Sequence, residues 1–361
     1  MQLHGGNSAE IAEQYDLDER TILDFSSNIN PLGFPASVTT LLKQDTSSIA
    51  RYPDTHSTNL RKVIASQNGV KVKNIIVGNG STELIYLLPR VFKPRAALIF
   101  QPTFTEYQLS LFSSGCALHY LPLKERFHFR ADLDGIMTLL PQIDILYLCN
   151  PNNPTGVLLK KDDLKPLIAE ADKRNVVLVL DESFIDFSGN DSLAQEAVKR
   201  DKLIVLKSMT KFFGIPGLRL GYLVAHGKTV SRINKHKEPW SVNVLAQRVG
   251  LACLEDDPFC KRTRQFVSRE RSYLFSQLNA IDGLKAYDSS ANFLLVKIMK
   301  NPLTSTTLYS ALAREGILIR DCRSFRGMGT KFIRVAVKKR KQNEVLIEAL
   351  KRIVEGVKRA S

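Results

Sequence analysis

Seven short apolar runs, at 75–77, 96–100, 117–121, 144–149, 176–180, 203–206 and 220–225, alternate with helix-like segments through the middle of the chain. Alternation of this kind argues for a mostly parallel sheet with helices on both faces. Phe92-Lys-Pro-Arg95 followed by Ala96-Ala-Leu-Ile-Phe100 shows the pattern: a helix stopped near proline, then a strand. Residues 160–174 read as an amphipathic helix between two strands, and residues 243–280 as long helices. Strands at 293–298 and 332–337 flank a helix near 304–315, the pattern of a smaller α+β unit. At 361 residues the chain has room for two lobes. The expected organisation is an N-terminal arm or lid at 1–30, a large domain at 31–240, and bridging helices with a small C-terminal domain at 241–361.

The most informative local segment is Ser208-Met-Thr-Lys-Phe-Phe-Gly-Ile-Pro-Gly-Leu-Arg-Leu-Gly-Tyr222, which follows the strand-like Leu203-Ile-Val-Leu206. It sets Lys211 among hydroxyls and glycines, with Arg219 eight residues later. Desolvating an ammonium costs free energy, so a buried lysine shifts its pKa or finds a function. A lysine with a lowered pKa can form a Schiff base with a carbonyl. Ser208, Thr210 and Arg219 are the donors expected around a phosphate. A Schiff-base lysine beside a phosphate pocket points to pyridoxal phosphate (PLP), which carries both groups.

Three other segments bear on this reading. Val176-Val-Leu-Val-Leu-Asp-Glu-Ser-Phe184 is a strand ending in a carboxylate, where α/β ligands bind. Asp181 is the candidate acid for the ring nitrogen of PLP; a helix N-cap is the competing account. Ile75-Ile-Val-Gly-Asn-Gly-Ser-Thr-Glu83 reads as strand, glycine turn and helix start, so Ser81 or Thr82 with free backbone N–H groups makes a phosphate cradle. Ile145-Leu-Tyr-Leu-Cys-Asn-Pro-Asn-Asn-Pro-Thr-Gly156 leads a strand into a tight turn.

In this order and spacing, these four segments resemble the fold-type I PLP enzymes of the aspartate aminotransferase superfamily, over essentially the whole chain. Within it the chain is similar to the histidinol-phosphate aminotransferase branch. His4-Gly-Gly-Asn7 and Asp24-Phe-Ser-Ser-Asn-Ile-Asn-Pro-Leu-Gly33 resemble the threonine-phosphate decarboxylases, which make aminopropanol phosphate for the nucleotide loop of cobalamin. The resemblance implies PLP linked through Lys211, with Ser81, Thr82, Ser208, Thr210 and Arg219 around its phosphate. It implies Tyr107 stacked on the pyridine ring, for which a buried tyrosine is the alternative, and Asn153 at the ring 3-oxygen. It also implies a homodimer with shared sites, Tyr52 reaching the phosphate from the partner, although a tyrosine in a turn before proline is the plainer account. For the substrate it implies an anion pocket of Arg320 and Arg334, with Arg323 as a neighbour in reserve. Asn153 and Asn28 would contact substrate, with His4 and Gly5 folded over it. Phe184 stands where many relatives carry a tyrosine, which favours decarboxylation over transamination. Serine phosphate as substrate, or a histidinol-phosphate-type aminotransferase, remain the alternatives.

A formal net charge of +15 invites a nucleic-acid reading, but the basic residues are scattered. The densest cluster, Lys338-Lys-Arg-Lys341, opens an amphipathic helix, and no aromatic platform or nucleic-acid module accompanies it. Steering of anionic substrates is the expected use. No apolar run is long enough for a bilayer, and Cys116, Cys149, Cys253, Cys260 and Cys322 lack metal or disulfide spacing. No nucleic acid, membrane or metal is expected, and the cytoplasm is the expected compartment.

Overall fold

The computed structural model describes residues 5–44, 47–189 and 192–356. Its strands, in chain order, are β1 Leu23–Asp24, β2 Ile75–Asn79, β3 Ala96–Gln101, β4 Ala117–Pro122, β5 Ile145–Cys149, β6 Val177–Asp181, β7 Leu203–Ser208, β8 Leu220–Val224, β9 Leu284–Ala286, β10 Phe293–Ile298, β11 Ile317–Leu318, β12 Arg320–Asp321 and β13 Phe332–Ala336. The seven apolar runs form one sheet in the order β2-β8-β7-β6-β5-β3-β4. Every pairing is parallel except those of β8, which runs antiparallel to β2 and β7. Leu178, Leu180 and Val205 pack into one apolar layer while Val177, Val179 and Ile204 pack into another. A sheet covered on both faces needs such near-continuous apolar strands, which is why the runs do not alternate with polar residues.

The bridge is two helices, Val244–Leu254 and Asp257–Asn279. The break has a local cause: the Asp256 carboxylate accepts the Phe259 N–H at 2.9 Å, an N-cap that starts a new helix. Beyond it, β12-β13-β10-β9 make a four-stranded antiparallel sheet. Its core includes Leu294, Val296, Ile333, Val335 and Leu346, and also Phe25 from the start of the chain. There β1 pairs in parallel with β11, Leu23 opposite Ile317. The helix Ser8–Tyr15 buries Ile11 against Ala313 and Leu318. The N-terminal segment is thus woven into the C-terminal unit and then crosses to the large sheet. Among the described residues, no helix is long and apolar enough to cross a membrane.

Candidate active site

The carboxyl ends of β6 and β7 and the turn after β2 meet on one edge of the large sheet. Gly221 of β8 lies in register with both Gly78 of β2 and Ser208 of β7, which places the two following turns side by side. A Cβ on Gly221 would fall 2.5 Å from the Ser81 N–H, so glycine is what lets the helix Gly80–Phe92 start so close to β7. Gly80 takes φ +73°, and a Cβ there would lie 2.7 Å from Arg219 Nη2. The Arg219 guanidinium therefore rests over the turn that carries buried Ser81 and half-buried Thr82. A helix N-terminus, hydroxyls and an arginine fork form an anion cradle.

Lys211 stands beside this cradle. Its Nζ donates to Ser208 Oγ at 3.0 Å, and Ser208 Oγ is 2.8 Å from Thr210 Oγ1. Burial lowers its pKa to about 8, against the pull of Asp181 and with a further push from Arg219. The Phe184 ring lies 5.9 Å from Nζ and supplies part of the apolar surround. Asn30 fixes the backbone here, its N–H on the Lys211 carbonyl at 3.0 Å and its carboxamide on the Phe212 carbonyl at 2.6 Å.

Asp181 is 2% exposed at the end of β6. One oxygen accepts the Ser183 N–H at 2.9 Å and the other the Tyr107 hydroxyl at 2.6 Å. A carboxylate offers about four lone-pair sites, so a further N–H can be accepted. Tyr107 is fully buried, its ring stacked on Tyr147 at 5.2 Å. What the structure gives it is a hydroxyl contact with Asp181, and its stacking on a cofactor ring rests on the resemblance.

On the other wall, Arg320 of β12 and Arg334 of β13 face each other across an antiparallel pair. Like charges directly opposite are unfavourable, and an anion bound between these buried guanidiniums would offset that repulsion. Arg334 donates to the Asn153 side chain and, at 2.7 Å, to the Ser26 carbonyl, both neutral, while its Nε has no partner among the described residues. Burial, helped by Arg320, lowers its pKa to about 10. Arg320 donates to Ser324 Oγ at 2.6 Å and lies over Phe325. Arg323 instead pairs with Asp321 at 2.8 Å, which ties its charge locally.

A cavity of about 160 Å³ joins the walls, lined by Asn28, Asn153, Phe184, Lys211, Arg320 and Arg334. Asn28 is buried there with its Oδ1 unpartnered. Gly5 also lines it, and a Cβ on Gly5 would fall 2.4 Å from the Ser26 carbonyl oxygen. His4 lies outside the described residues. Tyr52 is 84% exposed and stacks on Trp240, apart from the cavity. Ser26, Asn30 and Ser324 are site residues not singled out beforehand. Only Ser26 carried a signal: Asp24 Oδ1 accepts its N–H and hydroxyl in an Asp-x-Ser turn.

The residues present fit PLP on chemical grounds. A lysine of lowered pKa, a phosphate cradle and a buried carboxylate at a strand end match its aldehyde, phosphate and ring nitrogen. The unpartnered Asn28 Oδ1 and Arg334 Nε leave polar atoms for what binds beside it.

Residues 20–350 match the family Aminotransferase class I and II. The chain belongs to that family. Among its relatives, the threonine-phosphate decarboxylase of Salmonella typhimurium is 36% identical over 356 residues, 98% of this chain and 97% of its own. The crystal structure of histidinol-phosphate aminotransferase from Clostridium acetobutylicum superposes with a TM-score of 0.87 at 30% identity, covering 93% of this chain and all of its own. That of L-threonine-O-3-phosphate decarboxylase from Porphyromonas gingivalis gives 0.82 at 28% identity, covering 92% and 100%. The fold of this aminotransferase-family chain is that of fold-type I PLP enzymes, as the resemblance implied.

Proposed function

We propose that the chain is a PLP-dependent carboxy-lyase. It converts L-threonine O-3-phosphate to (R)-1-amino-2-propanol O-2-phosphate and CO₂, the product serving the nucleotide loop of cobalamin. The observation that carries the reading is the Arg320–Arg334 pair, which faces Lys211 across one small cavity. Two forks aimed at one place suit a phosphate dianion. Near-full-length similarity to threonine-phosphate decarboxylases supports the same substrate.

When bound, PLP supplies an electron sink for the pair left on the substrate α-carbon as the carboxylate departs. The chain's residues do the rest. Ser81, Thr82, Ser208, Thr210 and Arg219 hold the cofactor phosphate, Asp181 keeps the ring nitrogen protonated, and Asn153 reaches the ring oxygen. Arg320 and Arg334 grip the substrate phosphate, and that anchor, with Asn28, sets which α-carbon bond stands upright. Lys211, its pKa lowered by burial to about 8, returns a proton to the α-carbon. Phe184 leaves the Lys211 surroundings apolar and withholds a hydroxyl from the ring oxygen. Gly5, which lines the cavity, would contact the substrate, as would His4. The working unit is a cytoplasmic homodimer in which Tyr52 of each subunit completes the other's phosphate cradle.

Incubation of the PLP-loaded protein with threonine phosphate tests this. Release of CO₂ without any 2-oxo acid is the expected result. No CO₂, with amino transfer from histidinol phosphate to 2-oxoglutarate, would overturn it in favour of the aminotransferase. Serine phosphate should react more slowly, since a methyl contributes about 1–3 kcal/mol of discrimination.

A further inference from the structure

The β7 turn serves two faces of the molecule. Ser208, Thr210 and Lys211 belong to the site above, whereas Lys207, Met209, Phe212 and Phe213 line a second cavity of about 520 Å³. Successive strand residues point to opposite sides of a sheet, which separates Lys207 from Ser208. The volume falls within the range of roughly 300–1,000 Å³ usual for small-molecule sites.

Its deep end is polar and ordered. Lys207 is buried and donates to Asp186 at 2.8 Å. Burial works against its charge, but Asp186, Tyr222 and Glu182 hold its pKa above the ordinary lysine value. The Arg264 Nε donates to the Asp186 carbonyl at 3.0 Å, and its guanidinium lies 5.5 Å from the Phe212 ring. Lys161 and Lys261 also line the cavity. Among the described residues at the cavity, Lys161, Lys207, Lys261 and Arg264 stand with Asp186 and Asp257, and buried Glu182 acts on Lys207 from behind, which leaves a surplus of one positive charge. Phe212, Phe213 and Tyr222 add aromatic walls.

We infer that this cavity is a second binding site, for a phosphomonoester dianion with a compact apolar or aromatic body. The phosphate group suits the positive surplus, with Arg264 supplying the fork. The body packs on Met209, Phe212 and Phe213. Because these residues are contiguous with Thr210 and Lys211, occupancy here biases the Lys211 turn. Any ligand that binds one state of that turn better shifts it in proportion to its differential affinity. This coupling rests on the PLP reading; binding itself does not.

Calorimetry with phenyl phosphate on the PLP-loaded full chain, in which the cofactor phosphate fills the Arg219 cradle, separates the catalytic anion pocket from the second site. The Arg320→Ala variant disables the catalytic anion pocket and should still bind one equivalent. Adding Arg264→Gln should weaken that binding at least tenfold, and Lys261→Glu, a surface charge reversal compatible with folding, at least threefold. Succinate should bind at least tenfold more weakly than phenyl phosphate. In the PLP-loaded Arg320→Ala protein, phenyl phosphate should shift the pH midpoint of the visible absorbance, and Lys261→Glu should abolish the shift at the same concentration. Absence of binding in Arg320→Ala, indifference to both charge changes, or a preference for succinate would overturn the site. An unmoved midpoint with binding intact would overturn the coupling. A protein that takes up no PLP, yet binds phenyl phosphate in an Arg219→Ala, Arg320→Ala variant and loses that binding with Arg264→Gln, would reject the functional reading and leave the second site standing.

Discussion

Replacing Arg320 by alanine puts a number on the anion pocket. In the substrate-free protein its guanidinium donates to Ser324 Oγ and sits opposite Arg334. Losing a neutral hydrogen bond and relieving a like-charge cross-strand contact are of similar size, each about 0.5–1 kcal/mol, and oppose each other, and the contact with the Phe325 ring is lost as well. With phosphate bound the balance differs, because a hydrogen bond to a charged group contributes about 1.5–3 kcal/mol. That range corresponds to roughly a 10- to 150-fold loss in kcat/KM for threonine phosphate. Arg320→Lys keeps the charge but not the fork and should fall between. The assay is CO₂ release across a substrate series, alongside the visible cofactor spectrum and a melting curve. The spectrum should be unchanged, and turnover of unphosphorylated threonine, however slow, should be spared. Equal damage to both substrates would mean that Arg320 holds the α-carboxylate or the fold, and the phosphate assignment would fail.

Other consequences are open to direct measurement. In PLP-free protein, Lys211 has a folded pKa of about 8, below its ordinary 10.5. Between those values the unfolded chain binds a proton that the folded chain does not, so this residue's contribution to stability rises with pH across that window and is a penalty below it. Lys211→Met should therefore stabilise most near pH 7 and least above about pH 10.5, in urea unfolding at both; an identical gain at both would contradict the burial argument. Gly221→Ala drives a Cβ to 2.5 Å from the Ser81 N–H. It should cost about 1–3 kcal/mol of stability and weaken PLP retention on dialysis; normal retention would show the close approach to be dispensable. Finally, Lys211→Ala and Tyr52→Ala proteins, each inactive alone, should regain activity when unfolded together and refolded as a mixture. One site of each hybrid dimer then has both residues; no recovery would count against shared sites.

Much of the fold was legible because it follows from periodicity. The apolar runs became strands where expected, since a doubly covered sheet tolerates few polar residues within them. Lys211 and Asp181 drew attention for a related reason, each charge following an apolar strand where only function or pairing keeps it, whereas Arg320 and Arg334 drew attention through the resemblance. What periodicity does not carry is contact between distant segments. Nothing local in Asn30 announces its bonds to the Lys211 turn, and nothing in Ser324 its bond to Arg320. The break at Glu255-Asp256 was written in a cap signal that a long helical pattern obscured. Tyr107 shows the opposite difficulty: its neighbours Tyr147 and Asp181 lie on other strands, so ring and hydroxyl environments were beyond a one-dimensional reading.

The weaving of the first strand into the last sheet has a consequence for synthesis. Arg334 reaches the Ser26 carbonyl over a separation of 308 residues. At about 5–20 residues per second, the start of the chain waits roughly 15–60 s after emerging before that partner exists. During that interval Leu23 and Phe25 have no sheet to join, while the large sheet can close behind them. The anion pocket is therefore completed only after the whole of the large sheet has been made. A nascent chain stopped before β13 would carry the lysine, the acid and the cradle, yet have no second wall for the substrate.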